Sequence, residues 1–320
     1  GMPKGVMWRQ YDLFHVLGLG GNAVLGVPPA ASIEEIIDRM EPGVYGNVLL
    51  SACPLMHGTG QFSSLLAMNL GGCVVTLPNR TFDVGELLGE IERRRVQTLI
   101  IVGQAFAGPM LDSLIENPHR YDLSSLIMIS SSGVMWSQEN KQGLLTHIPQ
   151  VILFDSFGSS EAVGMGGAIS AAGAATETAK FTLGPTCAVF TEDGRRVVPG
   201  SGERGLVAVG GNIPMGYYKD EKLTSEVIID DYFHTGDIGE IDAEGFLRIT
   251  DRKKEMFKTS GGKYIAPQMI ENAMKQSRFI EQIMVIGEGE KMPAAFVQPN
   301  FEFVKEWAKI HKITLGSTDK

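Results

Sequence analysis

The sequence predicts an α/β fold, in which a helix-covered, mostly parallel sheet is followed by a small antiparallel β-barrel or meander and a partial α+β region. Two observations carry this prediction. Between residues 73 and 155 short β-branched runs alternate with helical segments, and from about Phe181 short extended runs alternate with turn clusters. Alternating strands and helices imply crossover connections and a parallel sheet, whereas closely spaced strands and turns favour antiparallel pairing.

The first part of the chain contains one helix with a strong pattern. From Val84, apolar residues recur at i, i+3, i+4 and i+7 and so share one helix face. Asp83, with Glu86 three residues later, predicts a capping box at the start of this helix. The remaining helices are predicted at residues 105–115 and within 137–147, and the strands at 73–77, 98–102, 126–130 and 151–154. The strand at 73–77 is expected to be buried.

The later part predicts strands at residues 188–190, 205–209 and 283–286, with turns at 192–194 and 199–202. A helix is predicted at 267–275, because proline suits a first helical turn. A glycine-rich stretch at 164–167 is expected to be a mobile loop. The predicted domains are residues 1–180, 181–250 and 251–320.

Composition excludes several classes of protein. The net charge of −9 argues against nucleic-acid binding. Three cysteines, Cys53, Cys73 and Cys187, are too few and too scattered for a disulfide framework or a zinc site. No apolar stretch has the length of a transmembrane segment, and the first ten residues do not resemble a signal peptide. A reducing, cytoplasmic location is therefore expected.

Two predicted strands end in segments suited to a ligand, residues 131–135 and the sequence DSFGSSE at 155–161. Ligands of open parallel sheets bind beyond the carboxyl ends of the strands. Phe157 can lie against a purine ring, Ser159 and Ser160 can donate to phosphate oxygens, and Glu161 can hold a hard cation. The alternative is a pair of ordinary small-residue loops, with Glu161 as a solvated charge at a helix start.

Two further segments, HTGD at residues 234–237 and DRKKE at 251–255, carry polar groups that suit a nucleotide. Asp237 can accept hydrogen bonds from both ribose hydroxyls, and the adjacent glycine permits a tight turn. Arg252 can bind ribose oxygens or phosphate through its charged fork. The alternatives are a β-turn with a capping aspartate and a solvated, charged helix start.

Taken in this order, these segments resemble the nucleotide site of the AMP-forming acyl-activating superfamily, of the fatty acyl-CoA synthetase type. The motif FGSSE at 157–161 is similar to the superfamily's aromatic-Gly-x-Ser/Thr-Glu motif, with phenylalanine in place of the more usual tyrosine. The resemblance implies that Phe157 stacks on adenine, that Ser160 contacts the α-phosphate and that Glu161 binds Mg²⁺. The other implied nucleotide-binding residues are Ser132, Gly133, Val134, Asp155, Gly158, Asp237 and Arg252.

The resemblance also implies roles for residues outside these motifs. Lys4 would neutralise the β- and γ-phosphates, and His57 would sit between the acyl and pantetheine channels. Lys254 would be the hinge residue. Ser260 and Gly261, in the sequence TSGGK at 259–263, would line the pantetheine tunnel. Without the resemblance, Lys4 would be interpreted as a solvated lysine near a terminus. His57 would be interpreted as a structural histidine, which is the more frequent case.

The implied function is ATP-dependent activation of a fatty or other hydrophobic carboxylic acid to acyl-AMP, followed by transfer to coenzyme A. The implied small molecules are the acid, ATP or AMP, Mg²⁺ and coenzyme A. The chain resembles a form truncated at both ends, so its turnover is expected to be impaired, and the uncovered apolar surface is expected to favour a homo-oligomer. The alternative function is a non-catalytic adenylate-binding or interaction module.

Overall fold

The computed structural model of the protein describes residues 4–39, 47–79, 81–134, 136–174, 180–252, 256–275 and 277–316. The chain divides into two compact units. The first comprises Gly1–Thr235 and Glu240–Arg248, and the second comprises Gly236–Gly239 and Ile249–Lys320. The division into three domains that the sequence predicts stays a prediction.

The described helices are short, and the longest of them has 13 residues. None of those within the described ranges has both the length and the apolar character needed to cross a bilayer. The helices are α1 (Gln10–Val16), α2 (Ile33–Arg39), α3 (Gly58–Asn69), α4 (Val84–Arg94), α5 (Gln104–Glu116), α6 (Gln138–His147), α7 (Glu221–Val227), α8 (Pro267–Met274) and α9 (Phe301–Ile310).

In the part of the chain that the structure describes, the strands fall into one large sheet and three two-stranded sheets. They are β1 (Val6–Met7), β2 (Val48–Ser51), β3 (Cys73–Thr76), β4 (Thr98–Ile101), β5 (Met128–Ser132), β6 (Ile152–Phe157), β7 (Gly166–Ser170), β8 (Lys180–Leu183), β9 (Cys187–Phe190), β10 (Arg204–Val209), β11 (Gly216–Tyr217), β12 (Ile228–Ile229), β13 (Tyr232–Ile241), β14 (Phe246–Arg252), β15 (Phe257–Lys258), β16 (Tyr264–Ile265), β17 (Ile280–Ile286) and β18 (Ala294–Pro299).

A parallel sheet in the order β3-β2-β4-β5-β6 forms the centre of the first unit. The helices α3, α4, α5 and α6 each connect one of these strands to the next in the chain. Apolar side chains of the inner strands pack with those of the helices in one core, which includes Leu50, Leu99, Ile129 and Leu153 with Met110 and Leu144. The predicted α/β fold with a helix-covered parallel sheet is confirmed.

Helix α4 forms as its sequence pattern predicts. The Asp83 carboxylate accepts a hydrogen bond of 2.8 Å from the backbone N–H of Glu86 and so caps the first turn. Leu87, Leu88 and Ile91 are fully buried. Burying each of these side chains contributes roughly 1.5–3 kcal/mol of transfer free energy, so this one face anchors the helix on the sheet.

Strand β3 differs from its prediction, because it is an edge strand and not a buried one. Among the described strands it pairs only with β2, and Cys73 and Thr76 at its ends are exposed. A run of β-branched residues has the same appearance in an edge strand and in a central strand, so the sequence pattern did not distinguish between them.

The loop predicted at residues 164–167 is wrong for its second half. Gly166 and Gly167 begin β7, which pairs antiparallel with β6 in the register Phe157↔Gly166. A Cβ at Gly167 would lie 2.3 Å from the ring of Phe154. The glycine is therefore required by close packing between neighbouring strands, and not by mobility.

The antiparallel strands continue the large sheet beyond β6, in the order β7-β8-β14-β13-β10-β9. Strand β8 pairs with β14 in the register Leu247↔Phe181, and β10 pairs with β9 in the register Val207↔Val189. This agrees with the antiparallel strands predicted from about Phe181. A separate two-stranded sheet pairs β1 with β11.

The second unit contains the hairpin β15–β16, the antiparallel pair β17–β18 and the helices α8 and α9. Helix α8 has Pro267 in its first turn, as predicted. The Glu271 carboxylate of α8 accepts a hydrogen bond of 2.8 Å from the backbone N–H of Val285 in β17. The ring of Phe279 packs edge-on against Phe303 and Trp307 of α9.

Candidate functional site

The end of β5 forms the first wall of the site in the first unit. Ser131 is buried, and its Oγ accepts a hydrogen bond of 2.9 Å from the backbone N–H of Gly103. Ser132 is half-buried at the end of the strand, and Gly133 follows with a φ of +85°. Val134 is exposed. Glycine suits this position, because a residue with a side chain would be strained at such a φ.

The motif DSFGSSE begins inside β6, because Asp155, Ser156 and Phe157 extend the strand past its predicted end at residue 154. A tight turn follows, in which the backbone groups of Ser159 and Ala162 exchange two hydrogen bonds. A Cβ at Gly158 would lie 2.8 Å from the Ala162 carbonyl oxygen, so only glycine fits there. The turn presents Ser160 and Glu161 at the edge of the sheet.

Asp155 forms a buried ion pair with Lys141 of α6. The Lys141 side chain is 1% exposed and the Asp155 side chain 16%. Burial raises the pKa of the Asp155 carboxyl, and the Lys141 ammonium opposes this rise. The structure thus gives Asp155 a protein partner, Lys141, whereas the sequence resemblance implied that Asp155 binds the nucleotide.

Phe157 lies against a second aromatic ring. Its ring stacks on that of Phe181 in β8, with centroids 5.3 Å apart and an interplanar angle of 26°. Stacked rings of this kind form a flat apolar wall. Sequence reasoning identified Phe157 and missed Phe181, since no local pattern links two residues that meet only through the β6–β7–β8 pairing.

Helix α3 begins beside both of these loops. His57 caps the helix, and its Nδ1 accepts a hydrogen bond of 3.2 Å from the Thr59 N–H. A Cβ at Gly58 would lie 3.2 Å from Ser160 Oγ, and a Cβ at Gly133 would lie 3.6 Å from His57 Cε1. Three separate segments therefore meet at the amino end of a 12-residue helix, where backbone N–H groups favour an anion.

Glu161 is held from a distant part of the chain. Its Oε1 accepts a hydrogen bond of 2.7 Å from the Tyr217 hydroxyl. Burial, and then the hydrogen bond and charge of Glu161, raise the pKa of Tyr217. The ammonium of Lys4 lies 4.8 Å from the centre of the Tyr217 ring, so two predicted site residues share one tyrosine.

Glu161 is the carboxylate that the sequence predicts as a Mg²⁺ ligand. The described residues contain no group of three or more histidine, cysteine, aspartate or glutamate side chains that could hold a metal. Mg²⁺ is nevertheless commonly bound through one or two carboxylates together with substrate phosphates. Glu161 follows Ser160, which lies beside the amino end of α3, and it suits that mode of binding. The described residues do not offer a set of protein ligands that would enclose a metal ion.

Asp237 and Arg252 belong to the second unit and lie next to each other. Arg252 Nε donates a hydrogen bond of 2.9 Å to Asp237 Oδ1. Asp237 is buried, whereas the Arg252 side chain is 55% exposed. Gly236 has a φ of +83° but lies within β13, so the predicted turn is a local irregularity in a strand.

The remaining predicted residues lie around a hairpin of the second unit. Ser260 and Gly261 are exposed at the tip between β15 and β16. The tip closes through three hydrogen bonds between Thr259 and Lys263 and one from the Gly262 N–H to the Thr259 carbonyl oxygen. The Ser260 N–H donates to the Glu290 carbonyl oxygen at 2.9 Å. Lys254, the predicted hinge residue, lies outside the described residues.

Sequence reasoning did not find Tyr217, Lys141 or Trp8. Trp8 Nε1 donates a hydrogen bond of 3.0 Å to the carbonyl oxygen of Ser160. The partners are 152 positions apart in this pair and 56 in the pair Tyr217–Glu161. No spacing rule within a single sequence connects residues at such distances.

Comparison with known proteins gives two matches to family profiles. The profile described as "AMP-binding enzyme" matches residues 1–218, and the one described as "AMP-binding enzyme C-terminal domain" matches residues 255–313. Together the matched regions include every candidate site residue except Asp237, Arg252 and Lys254.

Curated relatives include CoA ligases. The chain is 34% identical over 296 residues to a medium/long-chain-fatty-acid–CoA/3-oxocholest-4-en-26-oate–CoA ligase of Mycolicibacterium smegmatis, covering 90% of this chain and 53% of the relative. It is 35% identical over 302 residues to a 3-oxocholest-4-en-26-oate–CoA ligase of Rhodococcus rhodochrous, covering 90% and 52%. The chain thus spans about half the length of these relatives.

Solved structures share the fold. An O-succinylbenzoate coenzyme A synthetase of Bacillus subtilis, in complex with ATP and magnesium, superposes with a TM-score of 0.70 at 23% identity, covering 94% of this chain and 58% of that one. An anthranilate CoA ligase in complex with anthranoyl-AMP gives a TM-score of 0.72 at 18% identity, covering 98% and 59%. At these identities the likeness concerns the fold alone.

Proposed function

The chain belongs to the AMP-binding enzyme family, and from that premise we propose that it takes part in the ATP-dependent activation of a fatty or other hydrophobic carboxylic acid. In the proposed first step, a carboxylate oxygen of the acid attacks the α-phosphorus of ATP. The bond from that phosphorus to the bridging oxygen breaks, and pyrophosphate leaves. In the second step the coenzyme A thiol attacks the acyl carbonyl, AMP leaves, and the thiol proton passes to solvent.

The observation that carries the proposal is the meeting of three segments at the amino end of α3. Ser160 lies beside Gly58, and Gly133 lies beside His57. Phosphoryl chemistry of this kind depends on positioning and on stabilisation of negative charge. Backbone N–H groups at the helix start, with the Ser160 hydroxyl, supply donors for the α-phosphate at one place.

The adenosine part of the nucleotide has separate proposed contacts. Adenine would lie between Phe157 and the segment Ser132, Gly133 and Val134, with Phe181 backing the Phe157 ring. Asp237 and Arg252 would bind the ribose hydroxyls, because their side chains are already paired and oriented. Asp155 would support the adenosine site through its ion pair with Lys141, and Gly158 would permit the tight turn that follows β6.

Two residues are proposed to interact with the charges of MgATP. Lys4 would neutralise the β- and γ-phosphates, and Glu161 would bind Mg²⁺. A bound Mg²⁺ would neutralise phosphate charge in the transition state. Tyr217 contacts both of these side chains, which supports assigning them to one charged centre.

The acyl and coenzyme A groups are the least constrained part of the proposal. A fatty acid is favoured because the name of the Mycolicibacterium smegmatis relative specifies medium- and long-chain fatty acids. His57 would separate the acyl and pantetheine channels, and Ser260 and Gly261 would contact pantetheine. Lys254 as a hinge, cytoplasmic location and a homo-oligomer are also proposed, and light scattering tests the last of these.

Calorimetric titration with AMP tests the proposed nucleotide site. Asp237→Ala is expected to weaken binding roughly 10- to 100-fold, since a hydrogen bond to a charged group contributes about 1.5–3 kcal/mol. Asp38→Ala, at an exposed position of α2, is the matched control and is expected to bind as the wild type does. Equal affinities of wild type and Asp237→Ala would remove the assignment.

A further inference from the structure

Tyr217 is an unusual tyrosine because it is buried and yet contacts two charged side chains. It is 6% exposed. Its hydroxyl donates to Glu161 Oε1 at 2.7 Å, and the Lys4 ammonium lies over its ring at 4.8 Å. A hydrogen bond to a carboxylate is among the stronger hydrogen bonds in proteins, and a cation over an aromatic face is attracted by the ring.

The backbone around Tyr217 is fixed by three contacts. Val6 pairs with Tyr217 in the β1–β11 ladder. The Tyr217 N–H donates to Thr224 Oγ1 at 2.9 Å. A Cβ at Gly216 would lie 2.3 Å from Thr224 Cγ2, and Gly216 has a φ of +131°, so the chain passes close to α7. These contacts fix the backbone that carries the Tyr217 ring.

The segment that contains β1 also contacts the tight turn that follows β6. Trp8 follows β1 directly, and its indole N–H donates to the Ser160 carbonyl oxygen at 3.0 Å. The segments around β1 and β11 therefore contact this turn at two residues. Trp8 bonds to Ser160, and Tyr217 bonds to Glu161. Within the described ranges, the Glu161 carboxylate takes a hydrogen bond at Oε1 from Tyr217, and no described residue bonds to Oε2.

We propose that Tyr217 is a positioning residue that orients the Glu161 carboxylate toward a nucleotide-bound Mg²⁺ and holds Lys4 beside it. This inference rests on the proposed function, because it concerns the triphosphate end of the same site. Tyr217 would act by fixing one carboxylate oxygen so that the other is presented in a single direction. Residues that orient a metal ligand typically contribute 10- to 100-fold to metal affinity or activity.

The experiment compares Tyr217→Phe with Tyr218→Phe. The first variant keeps the ring and removes the hydroxyl, while the second alters the adjacent, exposed tyrosine. In calorimetric titrations, Tyr217→Phe is expected to weaken MgATP binding about 10-fold or more. Its affinity for AMP without Mg²⁺ should stay within about twofold of wild type, because the adenosine contacts are untouched. Tyr218→Phe should match wild type with both ligands.

Two results with ligands would overturn the inference. Unchanged MgATP affinity in Tyr217→Phe would remove the role, and equal losses for MgATP and AMP would show that the hydroxyl only supports the fold. Wild-type protein that binds neither nucleotide would overturn the proposed function instead.

A measurement without ligand tests the role of Tyr217 independently of the proposed nucleotide binding. The midpoint of thermal unfolding is measured for Tyr217→Phe, Glu161→Ala and the double variant. If the hydroxyl–carboxylate bond positions Glu161, the loss in the double variant is smaller than the sum of the single losses. Additive losses would overturn the inference whether or not a nucleotide binds.

Discussion

Replacing Lys141 with methionine is expected to destabilise the protein in a strongly pH-dependent manner. The substitution keeps a similar volume but leaves the Asp155 carboxyl buried without its cation. Removing one partner of a buried ion pair typically costs about 3–5 kcal/mol. The buried Asp155 carboxylate can also take up a proton. The free energy of that protonation is therefore an upper limit on the loss of stability.

That limit follows from the ordinary pKa of an aspartate. Protonating a group with a pKa of about 3.9 costs about 1.36 kcal/mol for each pH unit above that value, which is about 4 kcal/mol at pH 7 and about 1.5 kcal/mol at pH 5. Burial raises the pKa of Asp155 in the folded state. Its stabilising contribution is then fully present below the unfolded pKa and is lost as pH rises. The deficit of Lys141→Met should therefore grow between pH 4 and pH 7.

Urea denaturation at several pH values measures this deficit. We expect a loss of about 3–4 kcal/mol at pH 7 and about 1.5 kcal/mol or less at pH 5. The double variant Lys141→Met/Asp155→Leu should recover most of the stability, because a buried pair can be replaced by apolar groups at little cost. Lys305→Met, at an exposed position of α9, should stay within about 0.5 kcal/mol of wild type. A deficit that is small at pH 7, or that does not change with pH, would refute the reasoning.

The remaining predictions concern single positions. Gly158→Ala should cost about 1–3 kcal/mol in denaturation experiments, because its Cβ would meet the Ala162 carbonyl oxygen at 2.8 Å; Gly89→Ala, where the space is open, should instead stabilise α4 by roughly 0.5–1 kcal/mol. Asp83→Ala should remove the cap of α4 and lower the unfolding free energy by about 1 kcal/mol, and an unchanged value would contradict the capping role. Hydrogen bonds from the Ser124 side chain and backbone, with Arg95, lower the pKa of Asp122 from 3.8 to about 2. Wild type should therefore lose stability as pH falls through that window, whereas Asp122→Asn should lack this part of the slope.

Some elements could be predicted from the sequence because their determinants are local. The face of α4, its Asp83 cap and the start of α8 at Pro267 depend on residues within one or two helical turns. The end of β6 and the edge position of β3 could not be predicted, because they depend on which strands become neighbours. The same holds for the glycines of β7, whose sequence is compatible with a loop and with a close-packed strand.

The predicted site residues follow the same division. Within the first unit, the residues expected at the strand ends do lie together, with Ser160 beside Gly58 and Gly133 beside His57. The parallel sheet explains this, because its strand ends converge at one edge. Asp237 and Arg252 form a pair in the second unit. Their roles in binding a nucleotide stay predictions.

By itself, the sequence determined the α/β fold class and the family resemblance, because periodic patterns and short motifs lie in contiguous stretches of chain. Only the tertiary structure decided what holds the motif in place. Tyr217 reaches Glu161 across 56 positions, Trp8 reaches Ser160 across 152, and Lys141 lies beneath Asp155. These contacts form because folding brings strand ends and helix starts to one place, and that convergence leaves no periodic signal in the order of the residues.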